Sequence, residues 1–160
     1  MLLRPTTLDD LDYILALEHR PDNRDFIGRW AREQHVDAMS RVDREHLVIA
    51  GDDGAPLGYL IAYDVIADGY GIYVKRIAVG ERSRGVGRAA LAQFAERPWV
   101  TRASLISLAV RPHNARAQRC YVASGFEQWL LDETSRATFL DRVDPLAADC
   151  LIMRRPLYKV

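Results

Sequence analysis

The chain has 160 residues, 22 Lys plus Arg against 22 Asp plus Glu, and a formal net charge of zero. With 49% hydrophobic and 28% charged residues, it has the balance of one globular domain over residues 1–160, long enough to bury its own core. Neutrality leaves no global field for wrapping nucleic acid or coating an anionic membrane, and Cys120 and Cys150, without CxxC or Cys/His spacing, exclude a disulfide framework and a structural zinc site.

The opening stretch MLLRPTTLDD reaches Asp9 and Asp10 without an apolar h-region, so no signal peptide is expected and a reducing, cytoplasmic setting is. Leu2 to Arg4 is a short apolar start closed by Pro5. Thr6 and Thr7 precede Leu8, Leu11, Ile14 and Leu15, an apolar stripe at helical spacing behind a capping hydroxyl. Asp9, Asp10 and Asp12 stand in its first turn, where the helix dipole favours negative charge. Pro21, Asp22 and Asn23 break this helix. A second, shorter helix is expected within Asp25 to Arg41, anchored by Phe26, Ile27, Trp30 and Met39.

His46 to Ala50 and Leu57 to Val65 are β-rich runs joined by GDDGAP, whose Asp-Gly chemistry predicts a hairpin. Asp68-Gly69 is a second turn signal, leading into a strand over Tyr70 to Val79. Gly85 to Ala95 reads as a helix, Leu105 to Val110 as a buried strand, and Pro112 to Ser124 as a helix ended by Gly125. Glu127 to Leu131 and Cys150 to Arg154 are expected as final strands. Between them lies a charged stretch, Asp132 to Asp149, with a helix at Ser135 to Leu140. The pattern is an α/β or α+β arrangement, a mixed sheet with helices on both faces.

The chemistry concentrates in Arg76 to Arg88, RIAVGERSRGVGR. A strand ends at Val79, a short turn follows, and Gly85-Val86-Gly87 opens a helix. Free backbone N–H groups at a helix start bind phosphate, and glycines let it approach closely. Arg82, Arg84 and Arg88 add positive charge, so the loop suits a diphosphate or a nucleotide 3′-phosphate. Gly85, Gly87 and Ala90 also fit the dinucleotide fingerprint GxGxxG/A. That reading fails because the position for an acidic ribose ligand falls in the apolar strand Leu105 to Val110, and antiparallel strands precede the motif. Downstream, Asn114, Ala117 or Gln118, and Tyr121 recur at three- and four-residue steps and share one helix face. A phenol there can donate a proton into a cleft.

Together the two elements resemble the GNAT family of N-acetyltransferases. That family's phosphate loop, Q/R-x-x-G-x-G/A, is matched by Arg82, Gly85 and Gly87. Its helix pattern N-x-x-A-x-x-x-Y-x-x-x-G-F is matched by Asn114, Ala117, Tyr121, Gly125 and Phe126. The resemblance implies a mostly antiparallel sheet of six to seven strands that splays open between its fourth and fifth strands, with acyl-CoA in the gap. It implies that Ile77, Ala78 and Val79 pair their backbone with the pantetheine arm, and that N–H groups of Arg84, Gly85, Val86, Gly87 and Arg88 hold the pyrophosphate. Asn114 would hydrogen-bond the pantetheine or the acetyl end. Acetyl-CoA is then the co-substrate and a primary amine the acceptor, attacking the thioester directly. A backbone N–H near Val79 would polarise the thioester carbonyl, and Tyr121 would protonate the departing sulfur. Neither nucleic acid nor membrane is an expected partner; a homodimer accords with the family's habits. The alternative is an acyl-CoA-binding sensor or partner module without catalysis.

Two departures from the family stand out. Where ribosomal-protein alanine acetyltransferases carry a glutamate in an L-E-V-R context, this chain has Leu108-Ala109-Val110-Arg111. The base is left among Asp64, Glu81, a residue of the C-terminal loop, or a water chain. The turn after Val79 is also short, which loosens the expected contacts of Arg82 and Arg84. Cys120 is expected to point away from the face that carries Tyr121. His19, His35, His46 and His113 are scattered, with no metal-ligand spacing. Trp30, Trp99 and Trp129 are expected as core or edge anchors, with Trp30 and Phe26 near the acceptor. Arg24, Arg29 and Arg32 are assigned to a solvated face, an acidic acceptor being the alternative.

Overall fold

Runs rich in Val, Ile, Leu and Tyr pair into one seven-stranded sheet, in the order β1-β2-β3-β4-β5-β7-β6. The strands are β1 (Leu2–Pro5), β2 (Arg44–Ala50), β3 (Pro56–Tyr63), β4 (Ile72–Val79), β5 (Leu105–Val110), β6 (Glu127–Gln128) and β7 (Leu151–Pro156). This computed structural model describes residues 1–65 and 71–157. The helices are α1 (Leu11–Glu18), α2 (Arg32–Ser40), α3 (Val86–Ala95), α4 (Ala115–Ala123) and α5 (Glu133–Val143). Every neighbouring pair of strands is antiparallel except β4 and β5, which are parallel. The sheet is therefore the mixed, mostly antiparallel one expected.

Both faces are covered, which explains the uninterrupted apolar run Leu47 to Ala50 in β2. Leu47 and Ile49 face Leu91 and Phe94 of α3, while Val48 and Ala50 face Leu11, Ile14 and Leu17 of α1. A third cluster forms where Leu140 of α5 meets Ala147, Cys150 and Ile152, with Ala109 against it. No helix among the described residues is long and apolar enough to cross a membrane.

Several boundaries differ from the sequence-based expectation. Leu2–Pro5 is a strand, because its alternation buries Leu3 and pairs the edge with β2. Phe26, Ile27 and Trp30 belong to the segment before α2, which begins only at Arg32. The fourth helix starts at Ala115 because Asn114 caps it, its side chain accepting the Ala117 N–H. β6 ends after two residues. The helix within Asp132 to Asp149 runs longer than Ser135 to Leu140, because Asp132 accepts from Ser135 N at 2.8 Å and sets its start. The Asp68-Gly69 turn and Tyr70 lie outside the described residues.

One irregularity shapes β4. Its pairing with β3 runs Ile61↔Arg76, then Ala62↔Val74, so Lys75 is an extra residue, a β-bulge. The bulge reverses the alternation. Val74 before it and Ile77 and Val79 after it face the α3 side, whereas Tyr59, Ile61 and Ala78 face α1. Arg76 thereby turns under α1, where Glu18 waits.

Glu18 is fully buried. It accepts hydrogen bonds from Arg76 Nη1 at 2.6 Å, Tyr59 OH at 2.5 Å, His35 Nε2 at 2.9 Å and Trp30 N at 3.2 Å. Beyond it, His35 Nδ1 lies 2.9 Å from His46 Nε2, and His46 Nδ1 lies 2.8 Å from Thr6 Oγ1. One assignment of tautomers satisfies every ring nitrogen: Thr6 donates to His46, His46 to His35, and His35 to Glu18. Burial opposes the Glu18 charge, but the His35 and Tyr59 hydrogen bonds and the Arg76 charge outweigh it and hold the carboxyl below its ordinary value. Burial, aided by His35, lowers His46 from 6.5 to about 4.

The unfolded chain therefore takes up a proton at His46 near pH 6.5, whereas the folded chain waits until about pH 4. Stability from this group is present above the higher value and is lost as pH falls through that window, by about 3 kcal/mol in all. Denaturant titrations between pH 7 and 4 should show this decline, and His46→Gln should flatten it.

Candidate active site

The β4–β5 pairing covers only Ile72↔Ile106, Tyr73↔Ser107 and Val74↔Leu108. Past the bulge the strands part, and a cleft of about 510 Å³ opens between them. The Gly80 N–H donates to Leu57 O at 2.8 Å, toward β3. By the two-residue alternation of a strand, Ile77 and Val79 aim their N–H and C=O groups the other way, into the gap. Ala78 turns its backbone to β3 and its methyl toward α1. The cleft is thus edged by unpaired backbone, a place where an extended ligand can add as a strand.

At one end stands the start of α3. Gly85 is its N-cap with φ 73°, left-handed, and nothing lies within 4 Å of where a Cβ would be. Gly85 is needed for its conformation. Gly87 follows on the cleft wall: a Cβ there would meet Cys120 Sγ at 3.8 Å and Val79 Cγ1 at 3.9 Å, ordinary contact distances. The first bond of the helix runs from Ala89 N to Gly85 O, so the N–H groups of Val86, Gly87 and Arg88 remain at the open end. Arg88 lines the same end.

The two other arginines of the motif line this end too, but their guanidiniums are held by protein partners. Arg82 donates to the Asp22 carbonyl at 2.7 Å and to Asn23 Oδ1 at 2.5 Å. Arg84 pairs with Glu81 at 2.9 Å, both exposed. The short turn after Val79 directs them so, and the backbone amides carry the anion-binding character of this end. Arg116 of α4, not singled out in the sequence, also lines it. Partial burial and the nearby Arg82 charge lower its guanidinium, with Asp22 opposing them.

On the far bank, Asn114 is nearly buried, and its Oδ1 accepts from Ala117 N at 3.2 Å, which leaves its amide N–H groups for the cleft. Ala117 and Tyr121 line the same wall. The Tyr121 ring packs 6.0 Å from that of Phe126. Burial, with Cys120 adding to it, pushes the phenol well above its ordinary value, so it stays protonated. Cys120 corrects the expectation: it lines the cleft beside Gly87, and burial raises its thiol.

The other end is walled by Phe26, Ile27, Gly28, Arg29 and Trp30 on one side and by Leu146, Ala147 and Cys150 on the other. Phe26 meets His113 at 5.5 Å between ring centroids, joining the two banks. Trp30 covers the Arg76 guanidinium at 5.0 Å. Of the three arginines assigned to a solvated face, Arg29 lines the cleft and Arg32 is bound to Asp12. Of the acids considered, Asp64 is bound to Arg142 at 3.1 Å and does not line the cleft; Glu81 does, on the loop beside Arg84. The C-terminal segment supplies the carboxylate of this end: Asp144 sits 2.8 Å from Lys75 Nζ and accepts from Tyr73 OH at 3.4 Å. Thus β4 has no acid of its own at this point but holds one brought in by the α5 turn. No group of three or more His, Cys, Asp or Glu among the described residues could hold a metal ion.

An open mixed sheet, parted beside a glycine-opened helix and edged by unpaired backbone at the break, defines a class of group-transfer fold. A family model described as the acetyltransferase (GNAT) family matches residues 10–126, and the chain belongs to that family. Among solved structures, an acetyltransferase from Thermus thermophilus is similar at 22% identity with TM-score 0.69, covering 98% of each chain. The aminoglycoside acetyltransferase AAC(6')-Ib, solved with paromomycin and acetyl-CoA, is similar at 20% identity with TM-score 0.70, over 96% of this chain and 92% of that one. Chaetomium thermophilum Naa20, solved with a bisubstrate analogue, is similar at 17% identity with TM-score 0.71, over 98% and 87%. A comparison with curated proteins gave no significant match.

The edge of the cleft can be perturbed from behind. A Cβ on Gly58 would stand 2.3 Å from Ala78 O and 3.0 Å from Val79 Cα, backbone atoms that cannot step aside cheaply. Gly58→Ala should therefore destabilise the protein by about 1–3 kcal/mol, as overpacking does, read as a lower urea midpoint.

Proposed function

We propose that the protein transfers the acetyl group of acetyl-CoA to a primary amine by direct attack on the thioester. The observation that carries this reading is the gap itself: free backbone of Ile77 and Val79 on one side and the open amides of α3 at its end. The extended pantetheine arm would pair with the backbone of Ile77 and Val79 and pass Ala78 between them. The pyrophosphate would rest on the N–H groups of Gly85, Val86, Gly87 and Arg88, with Arg82, Arg84 and Arg116 adding positive potential. Asn114 would donate its amide to the pantetheine. The fold likeness to structures solved with acetyl-CoA and with a bisubstrate analogue supports this placement.

In the reaction, the neutral amine nitrogen forms a bond to the acetyl carbon. The C–S bond breaks, the nitrogen sheds a proton, and the sulfur gains one. The Val79 N–H, aimed into the gap, would stabilise the oxyanion. Asp144 would hold the acceptor's ammonium at the far end and take the proton whose loss leaves the amine neutral for attack, passing it to solvent. Tyr121 would donate to the departing sulfur, and its raised phenol keeps the proton available throughout the working range. A thiol with pKa about 8.5 leaves as thiolate at modest cost without help. Tyr121→Phe should therefore slow turnover by about a hundredfold, the low end for a general acid, without abolishing it. The wild-type rate should show no alkaline loss from this group up to about pH 10.

The alternative, a binding module without catalysis, draws on Ala109 standing where relatives carry an acid; Asp144 answers it. The cofactor site is tested by titrating acetyl-CoA into the wild type and into Gly87→Glu. The wild type should bind at micromolar strength or better, and the variant, whose carboxylate would point at the phosphates, should lose at least about a hundredfold. Equal affinities would remove the glycine loop from the cofactor site.

A further inference from the structure

We infer that the acceptor carries a carboxylate close to its amine; this rests on the acetyltransferase reading above. The charges at the end of the cleft away from the glycine loop point to it. Arg29, Lys75, Arg76 and Arg111 line that end, and Asp144 is the carboxylate among them. Arg76 is balanced from beneath by Glu18 at 2.6 Å, and Lys75 by Asp144 at 2.8 Å. Arg29 and Arg111 are exposed, and neither forms a salt bridge among the described residues.

These two guanidiniums stand on opposite banks. Arg29 lies three residues beyond Phe26, and Arg111 lies two before His113. The Phe26–His113 ring contact at 5.5 Å draws the two segments together across the mouth. An acceptor bearing only positive charge would meet two uncompensated cations and one carboxylate already bound to Lys75. An amine with a nearby carboxylate meets the opposite. Its ammonium finds the free lone pairs of Asp144, and its carboxylate finds the guanidinium forks, whose geometry matches two oxygens. A zwitterion also brings no net charge to the Lys75–Asp144 pair, so the site need not bury an unbalanced ion.

The test uses thiol release from acetyl-CoA with matched acceptors: free amino acids against their carboxamides, peptides with Asp or Glu second against the same peptides with Asn or Gln, and spermidine and kanamycin. The carboxamide of an amino acid is the weaker base and has more free amine, so intrinsic reactivity opposes the expected order. The carboxylate member of a pair should still lead in kcat/KM by at least about tenfold, and the leading pair distinguishes a free amino acid from a peptide source. The double variant Arg29→Gln/Arg111→Gln should bring the pair within about threefold while its acetyl-CoA affinity, measured by titration, stays at the wild-type value. Preference for the carboxamides or the polycations would overturn the inference and leave the acetyltransferase reading intact. So would a loss of about tenfold in acetyl-CoA affinity in the double variant, which would assign these arginines to the cofactor. Failure of the wild type to bind acetyl-CoA at all would instead overturn the reading on which the inference stands.

Discussion

The extra residue at Lys75 is the constraint from which the rest of the site follows. A regular β4 would keep one alternation from Ile72 to Val79 and could pair with β5 along its length. The bulge bends the strand, and pairing with β5 stops after Val74↔Leu108. Three consequences come from this one residue. The N–H and C=O groups of Ile77 and Val79 lose any strand partner on that side. Arg76 turns beneath α1. Lys75, itself unpaired across the sheet, reaches Asp144 from the α5 turn. A β4 of unbroken alternation would place neither Lys75 nor Arg76 where they stand at the far end.

Holding Arg76 there requires a buried anion, and burying an anion is expensive. Taking a carboxylate out of water costs several kcal/mol unless its lone pairs are filled. Glu18 has four donors, drawn from β3, β4, α2 and the segment before α2, and Arg76 is the permanently charged one among them. They satisfy the carboxylate locally and also tie Trp30 N, and thus one wall of the cleft, to the sheet. The histidines behind it extend the chain of donors to Thr6, so β1 and β2 feel the same charge. Removing one partner would leave an uncompensated buried charge, so the cluster stands or falls as a unit.

What is legible in the sequence is what is encoded locally. Glycines 85 and 87, the cap at Asn114 and the end at Gly125 each act within a turn or two of their own position, so the sequence motif and the folded geometry coincide. The β-branched runs fix the strands for the same reason. What escapes is set by partners far away in the chain. Val74-Lys75-Arg76 carries no glycine or other local mark of a bulge; β3 imposes it. His35 and His46 look scattered because Glu18, 17 residues before the first of them, is what brings them together. Asp144 hides in a charged stretch, since nothing nearby reveals that Lys75 waits across the cleft. The spacing of Phe26 and Trp30 suits a helix, yet the pull of His113 and Arg76 keeps them outside one.

The two ends of the cleft therefore differ in kind. The glycine end presents backbone amides, which every residue but proline supplies, and depends on the left-handed conformation at Gly85. Side chains can drift there, as the diversion of Arg82 and Arg84 to Asp22 and Glu81 shows, without removing the anion-binding groups. The far end is lined by charged side chains from four separate segments: Arg29 before α2, Lys75 and Arg76 in β4, Arg111 after β5 and Asp144 after α5. Under the proposed acceptor placement, changing the exposed Arg29 or Arg111 side chain changes the charge an acceptor meets at positions outside the sheet and the glycine loop. The glycine end can therefore be read from a local motif, whereas the far end is read only from the charge and geometry that the fold brings together.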